Sequence, residues 1–327
     1  MRISIHKQGL GYHLPPGYGG LEVVQDETTL ALSHRIDLVS EAEARLVHLF
    51  GVYEITLATL ADLKARGKLT SLTTVYWLWG GLGYSDGLSE LHRDLVASCY
   101  ASADLLFPCS PGEARRIHNH LAIPVSKMRV AVCGIWPDIE TRVSPEKSAA
   151  PWDDYALVVG RLEPRKNQLS FLTALMDDPT PVILVGDAPP SPIDPTYAAR
   201  CREIAGRRPA PTLILPGMPH GQVLRLMQDA RVVVQPSIYE CQGLVCLEAA
   251  ALGTPVVPTI RSFAGDYLGD GTLYVDPFSP ESLKGAVSGF RPITETLRRR
   301  LLTEYTWPRA ADQMVGAYKE FLSCNDK

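Results

Sequence analysis

Short apolar runs alternate along the chain with longer segments whose apolar residues recur at helical spacing. The runs that we interpret as strands include residues 36–39, 46–50, 130–132, 155–159, 212–215 and 272–275. This alternation is typical of α/β layers built around a largely parallel sheet. An α/β fold is therefore the first prediction, and it limits where a ligand can bind.

A stretch without periodicity divides this alternation into two blocks. Residues 137–152 combine Pro, Ser and charged side chains, as linkers do. The chain has 327 residues, and a domain takes roughly 100–200 residues, so we predict two Rossmann-like domains, residues 1–145 and 150–308. Two such units leave a natural ligand site in the cleft between them, at the carboxyl ends of their strands.

Composition excludes several classes of protein. With 46% hydrophobic residues, 21% charged residues and a net charge of −4, the chain resembles a folded globular protein and not a disordered one. The nearest approach to a basic block is three arginines at residues 298–300, which argues against nucleic acid as the partner. The sequence contains no run of about 18 apolar residues, so we predict no membrane helix. The first residues do not resemble a signal peptide.

The seven cysteines are scattered, odd in number and without a CxxC pair. This pattern favours reduced, buried thiols over disulfides, and hence a cytoplasmic protein. It also argues against structural zinc, whose ligands come in close pairs. We therefore expect no metal site.

The segment of residues 235–257, QPSIYECQGLVCLEAAALGTPVV, carries the strongest local signal. A strand ends before a Pro-Ser turn, Gly243 opens a helix, and Gly253 closes it as a C-terminal cap. The N–H groups of Gly243, Leu244 and Val245 then stand at the positive end of that helix. Such an N-terminus is a ready site for an anion.

Glu240 and Glu248 lie eight residues apart in the same segment. If all eight steps were helical, about 12 Å would separate them at 1.5 Å per residue. The two carboxylates could then accept hydrogen bonds from sugar hydroxyls at either end of a bound diphosphate. Alternatively, Glu240 interacts with the helix dipole and Glu248 is a surface charge. Glu248 stands in an almost wholly apolar helix, however, where an ionised side chain needs a partner.

A second segment, VVGRLEPRKNQ at residues 158–168, carries cations after a predicted strand. Arg161 follows the glycine at the strand end, and Lys166 begins the next helix after a Pro turn. Two cations beside a helix N-terminus suit a pyrophosphate leaving group, whose developing charge they would neutralise. Taken alone, the segment could equally be a surface loop with ordinary cations. We expect Arg165 to be solvated.

These segments resemble a known family. The ordered series GRLEPRKNQ, LVGD, the two-glutamate segment, LYVDP and YTW is similar to the retaining, nucleotide-sugar-dependent glycosyltransferases of family 4, from about residue 100 to residue 320. The resemblance implies the GT-B fold, with two Rossmann-like domains facing each other across a cleft. The N-terminal domain is shorter than the family's, and a C-terminal helix at residues 309–327 is expected to cross back onto it.

The resemblance also assigns roles to individual residues. Arg161 and Lys166 match the basic pair that holds the donor diphosphate, and Gly243 with its neighbour Leu244 matches the backbone contacts to phosphate and sugar. Glu240 matches the carboxylate near the donor sugar. The second carboxylate of the motif, at residue 248, matches the one that binds the ribose.

Two further segments relate to the donor and acceptor sides of the site. Gly19 and Gly20, in PPGYGGLE, match a glycine loop that approaches the donor phosphate, although a plain turn would have the same composition. In YWLWGGLG, Trp79 precedes Gly80 where the family often has a histidine. An aromatic side chain can stack on an acceptor but cannot take its proton, so donor binding is better supported than turnover.

The expected reaction is transfer of a sugar from a nucleoside diphosphate donor to an acceptor hydroxyl with retention of configuration. The fixed cations and the lack of a DxD-like pair predict no metal, and we expect no cofactor beyond the donor itself. The acceptor is a glycan, a lipid-linked sugar or a small molecule, which leaves peripheral contact with the inner membrane face open. The alternative is a catalytically weak subunit that binds a nucleotide sugar or acts as a scaffold.

Overall fold

The computed structural model describes residues 1–6, 20–52, 55–76, 87–188 and 194–325. The chain divides into two compact units. The first contains the described residues up to Gly134 together with those from Tyr305 on, and the second comprises Ile135–Glu304. The sequence placed the boundary between residues 145 and 150 and the returning segment at residue 309. In the structure both divisions come earlier along the chain.

The first unit is a parallel sheet with helices between its strands. Its elements up to the boundary are β1 (Ile3–Ile5), α1 (Gly20–Ser33), β2 (Leu46–Phe50), α2 (Thr56–Ala65), β3 (Leu69–Thr73), α3 (Gly87–Ser102), β4 (Leu105–Phe107) and α4 (Pro111–Leu121). The strand order is β1-β2-β3-β4, with every pair parallel. Every residue of β2 is buried, as expected for a central strand of a parallel sheet.

The second unit repeats this architecture with a longer sheet. Its elements are β5 (Ala156–Val159), α5 (Gln168–Ala174), β6 (Val182–Val185), α6 (Tyr197–Arg207), β7 (Thr212–Leu215), α7 (His220–Asp229), β8 (Val232–Val234), α8 (Leu244–Ala251), β9 (Val256–Val257), α9 (Gly265–Leu268), α10 (Pro280–Gly285) and α11 (Glu295–Glu304). The order is β7-β6-β5-β8-β9, all parallel.

The strand order of the second unit reverses at β5. The chain builds β6 and β7 outward on one side of β5, and then β8 and β9 outward on the other. Connections leave the carboxyl ends of β5 and β8 in opposite directions, which opens a crevice between them. Ligands of open α/β sheets bind at such a switch point.

The last helix, α12 (Trp307–Cys324), belongs to the first unit. Thr306 caps it by accepting a hydrogen bond from the N–H of Arg309 at 3.2 Å. The helix packs along α1, and its Tyr318 is fully buried. A segment that follows the second unit therefore completes the core of the first.

Three of the predicted strands do not form, and one of these is the run at residues 130–132. Residues 36–39 make a single bridge, from Leu38 to Ile3, and residues 272–275 make one, from Val275 to Thr259. Each of these two runs pairs through only one residue, and of their eight residues only Val275 is buried. Within the described ranges, no helix is long and apolar enough to cross a bilayer.

Candidate active site

Two glycines stand at the ends of the neighbouring strands β5 and β6, next to the switch point. Gly160 follows β5 with φ +151°, and Gly186 follows β6 with φ +154°. A Cβ on Gly186 would lie 2.3 Å from the carbonyl oxygen of Gly160. The two strand ends thus approach so closely that only glycine fits there.

The loop after Gly160 is tied to the loop after β8. Asn167, at φ +59°, donates from Nδ2 to the carbonyl oxygens of Pro236 and Pro277, at 3.2 and 2.9 Å. Gln168 donates from Nε2 to the carbonyl oxygen of Arg161 at 2.8 Å. These contacts place the basic residues of the first loop beside the glutamate of the second.

A cluster of three cations and two carboxylates results. Lys166 Nζ donates to Oε1 of Glu240, and Arg165 Nη1 reaches the same oxygen at 3.4 Å. Arg165 also donates to Glu163 at 2.9 Å, and Arg161 lies 3.5 Å from Glu163. The Glu240 side chain is only 11% exposed. The cluster carries a net positive charge at the carboxyl edge of the sheet.

The pKa shifts within this cluster follow from burial and charge. Burial alone would raise the pKa of Glu240, but Lys166 and Arg165, with a hydrogen bond from Ser237, lower that pKa to about 2. Burial lowers the pKa of Lys166, against the opposing effect of Glu240. Burial likewise disfavours the charged form of Arg165, but its two carboxylate partners, Glu240 and Glu163, raise its pKa overall. Glu240 is therefore a carboxylate throughout the neutral range.

The N-terminus of α8 opens beside this cluster. Gly243 caps the helix at φ +75°, and its carbonyl oxygen accepts hydrogen bonds from the Cys246 N–H at 3.0 Å and the Tyr267 hydroxyl at 3.1 Å. The first N–H groups of a helix have no intrahelical partner. Gln235, 4% exposed, lies beneath the cap, and its Oε1 has no hydrogen-bond partner among the described residues.

Glu248 has a partner in the helix next to its own. Its side chain is 14% exposed, and His220 Nε2 lies 2.9 Å from its Oε1. His220 is the first residue of α7, and its own side chain is 57% exposed. Close by in the sequence, the Gly217 N–H donates to Asp187 Oδ1 at 2.9 Å. The second predicted carboxylate is thus largely buried and pairs with an exposed histidine.

The structure joins the predicted cations to the first predicted carboxylate. Lys166 contacts Glu240 directly, and Arg161 reaches it through Glu163 and Arg165. The expectation that Arg165 is solvated was wrong, because this residue bridges both carboxylates. Glu240 precedes α8, which begins at Leu244, so the eight steps between the two glutamates are not all helical.

The backbone and glycine predictions have separate outcomes. Leu244 and Val245 form the half-buried first turn of α8, and the binding of an anion by their N–H groups stays a prediction. Gly20 is the first residue of α1. Gly19, Trp79 and Gly80 lie outside the described residues, so their predicted roles stay predictions.

The sequence analysis missed two residues that hold other residues of the site in place. Asn167 ties the two loops together, and His220 pairs with the second carboxylate. Asn167 lies inside the RLEPRKNQ motif, so its polar side chain next to a buried helix start was an available signal. His220 offered none, since a histidine opening an amphipathic helix resembles any surface residue.

The chain has two Rossmann-like units, and a charged crevice lies at the switch point of the second unit. Residues 141–292 match the family model described as Glycosyl transferases group 1. The fold is shared with HepE of Anabaena, solved in complex with UDP and glucose. That structure aligns over 98% of this chain and 100% of its own, at 14% identity and a TM-score of 0.75. The likeness shows the fold alone, and that fold is GT-B.

Two curated relatives resemble the chain more closely in sequence. An uncharacterised glycosyltransferase of Methanocaldococcus jannaschii is 29% identical over 73% of this chain and 65% of its own length. The O-antigen chain mannosyltransferase B of Escherichia coli is 28% identical over 53% of this chain and 48% of its own length. The chain thus spans between about half and two thirds of these relatives.

Proposed function

We propose that this chain is a glycosyltransferase that moves a sugar from a nucleoside diphosphate to an acceptor hydroxyl with retention of configuration. The observation that carries the proposal is the net-positive cluster of Arg161, Arg165 and Lys166 beside the N-terminus of α8. An anion in this crevice would meet fixed cations and unpaired helix amides together. A diphosphate has the charge and the length to contact both.

The reaction follows from the charge that develops on the leaving group. As the bond between the anomeric carbon and the phosphate oxygen breaks, negative charge grows on the diphosphate. In this scheme Lys166, Arg161 and the α8 amides stabilise that charge, and one such donor is worth about 3–4 kcal/mol of barrier. Glu240, held as a carboxylate by Lys166 and Arg165, stands at the sugar end of the crevice.

The acceptor reacts on the face that the diphosphate leaves. The acceptor oxygen bonds to the anomeric carbon, its proton passes to the departing phosphate oxygen, and the configuration is kept. Fixed side-chain cations supply the charge compensation in this scheme, so the proposal includes independence from a metal.

The donor and acceptor are proposed only by class. HepE, which shares the fold, is bound to UDP and glucose in its structure, so a uridine nucleotide is the first donor to test. The acceptor hydroxyl belongs to a glycan, a lipid-linked sugar or a small molecule. The cysteines are all free thiols, which supports a reducing, cytoplasmic site of action.

The test compares Lys166→Met with Lys284→Met, an exposed lysine of α10 in the same unit. Calorimetric titration with UDP, GDP, ADP and dTDP identifies the nucleotide, and donor hydrolysis without acceptor measures turnover. We expect Lys166→Met to lower turnover about 10²–10³-fold while Lys284→Met retains wild-type values. Equal turnover in Lys166→Met and wild type would remove the electrostatic role. Tight nucleotide binding without any hydrolysis would instead favour the binding-subunit alternative.

A further inference from the structure

Arg261 is a partly buried cation next to Glu240 that belongs to none of the ion pairs of the site. Its carbonyl oxygen accepts a hydrogen bond from the Glu240 N–H at 3.2 Å, so the two residues lie side by side. Its Nε donates to the carbonyl oxygen of Ile238 at 3.0 Å. The first contact joins the backbones of the two residues, and the second holds Nε of the Arg261 side chain against the loop that carries Glu240.

The ring of Phe278 fixes the plane of the Arg261 guanidinium. The guanidinium carbon lies 5.5 Å from the ring centroid, within the range of a cation–π contact. With Nε bonded and one face covered, the two terminal nitrogens form an oriented fork. A fork held in this way loses little entropy when it binds a planar anion.

The charge of Arg261 is not compensated by the protein residues that the structure describes. Each other cation of the site has a carboxylate partner there, whereas Arg261 has none within 4 Å. Among those same residues, its terminal nitrogens meet no hydrogen-bond acceptor either. An oriented cation of this kind is suited to an anion that arrives with the ligand.

We propose that Arg261 binds the carboxylate of a uronic acid, so that the donor is a nucleoside diphosphate uronate. This inference rests on the proposed function, which places the donor sugar beside Glu240. The diphosphate is already matched by Lys166, Arg161 and the α8 amides, which leaves Arg261 for an anion on the sugar. A carboxylate fits the planar fork with two parallel hydrogen bonds.

The experiment compares matched donors on three proteins. Dissociation constants are measured for UDP, UDP-glucose and UDP-glucuronate, or for the corresponding pair on whichever nucleotide binds. The proteins are wild type, Arg261→Gln and Arg207→Gln, the last removing an arginine of α6 that is 65% exposed. Wild type and Arg207→Gln should bind the uronate at least tenfold more tightly than the neutral sugar. Arg261→Gln should lose about tenfold or more of that preference, as expected for a charged hydrogen-bonded pair.

Three results would overturn the inference, and they differ in what else they affect. Equal or tighter binding of the neutral donor by wild type rejects a uronate outright. Equal losses for both donors in Arg261→Gln would place the guanidinium on the diphosphate instead. In either case the proposed function stands, because the free nucleotide still binds. Failure of every nucleoside diphosphate to bind rejects the proposed function, and the uronate with it.

Discussion

At the scale of single residues, the largely buried carboxylate of Glu248 has a hydrogen-bonding partner. Glu248 stands in a helix of apolar side chains, and the structure supplies His220 as its partner at 2.9 Å. A half-buried carboxylate with one surface partner keeps acceptor positions for hydroxyl groups of a ligand. This arrangement suits the ribose contact that the sequence motif implies.

Replacing Glu248 with alanine should remove discrimination between ribose and deoxyribose. Wild type should bind UDP about tenfold more tightly than 2′-deoxy-UDP, since a hydrogen bond to a charged group is worth about 1.5–3 kcal/mol. In Glu248→Ala the two constants should become equal. Calorimetric titration measures both, or the corresponding pair if another nucleotide binds. Glu203→Ala, at an exposed position of α6, is the control and should keep the wild-type ratio. A ratio that persists in Glu248→Ala would remove this carboxylate from the ribose.

Glu113, in the first unit, is a fully buried carboxyl group with three donors. Thr74 Oγ1 and the Cys109 N–H each lie 2.6 Å from it, and the N–H of Tyr76 donates to it as well. Burial raises the pKa of Glu113 to about 8, although these hydrogen bonds oppose the shift. The side chain thus joins the end of β3 to the start of α4. Because its pKa is raised, keeping it ionised in the folded state costs free energy at high pH.

The raised pKa of Glu113 should make the free energy of unfolding depend on pH. Between the unfolded pKa of 4.5 and the folded value of about 8, the folded state binds more protons. Its free energy of unfolding therefore falls as pH rises through this window. Glu113→Gln mimics the neutral form, so from pH 5.5 to pH 8.5 its stability relative to wild type should rise by at least about 1 kcal/mol. Urea unfolding measures the difference. Glu43→Gln, at an exposed position, should show no such trend, and a flat difference for Glu113→Gln would refute the shift.

At the scale of elements, the sequence predicted strands that coincide with apolar runs and a helix that begins after a glycine. Strands β2 and β7 have the bounds that their apolar runs indicate, and α8 begins after Gly243 as its glycine predicts. The failures are the runs at residues 36–39, 130–132 and 272–275. An apolar run does not by itself form a strand, because strand formation also requires neighbours in register, which local sequence does not contain.

The two glycines that bound α8 allow a matched test of its N-terminus. Both have positive φ, +75° at Gly243 and +89° at Gly253, so alanine at either costs about 1–2 kcal/mol of backbone strain. At Gly243 the added Cβ would also lie 2.7 Å from Gln235 Oε1, whereas at Gly253 it would meet only Arg298 Cδ, at 3.9 Å. Gly243→Ala should weaken nucleotide binding about tenfold or more, while Gly253→Ala should lose stability alone. Calorimetry and thermal melting separate the two effects, and equal affinities in the two variants would argue against an anion at this helix end.

At the scale of the whole molecule, the C-terminal helix α12 belongs to the first unit, although it follows the second unit in the chain. The sequence suggested a returning helix through family resemblance, but it gave no means of predicting which side chains would meet. In the structure the hydroxyl of Tyr318 lies 3.0 Å from Nδ1 of His48, although 270 residues separate them in the chain. His48 is fully buried, and burial lowers its pKa to about 3, so it is neutral in the folded state. A polar contact of such sequence separation arises only from the tertiary fold.

Tyr318→Phe tests whether this contact ties the end of the chain to the first sheet. Removal of one buried hydroxyl should lower the free energy of unfolding by about 1 kcal/mol, and it should speed amide exchange in β2 and α12. The matched control is Tyr274→Phe, whose hydroxyl donates to the carbonyl oxygen of Gly269 in the second unit at 2.9 Å. That variant should lose similar stability without faster exchange in β2. Urea unfolding and hydrogen exchange followed by mass spectrometry give both readouts. If exchange in β2 is equally slow in both variants, α12 is held by apolar packing alone, and the His48 contact contributes nothing to closing the unit.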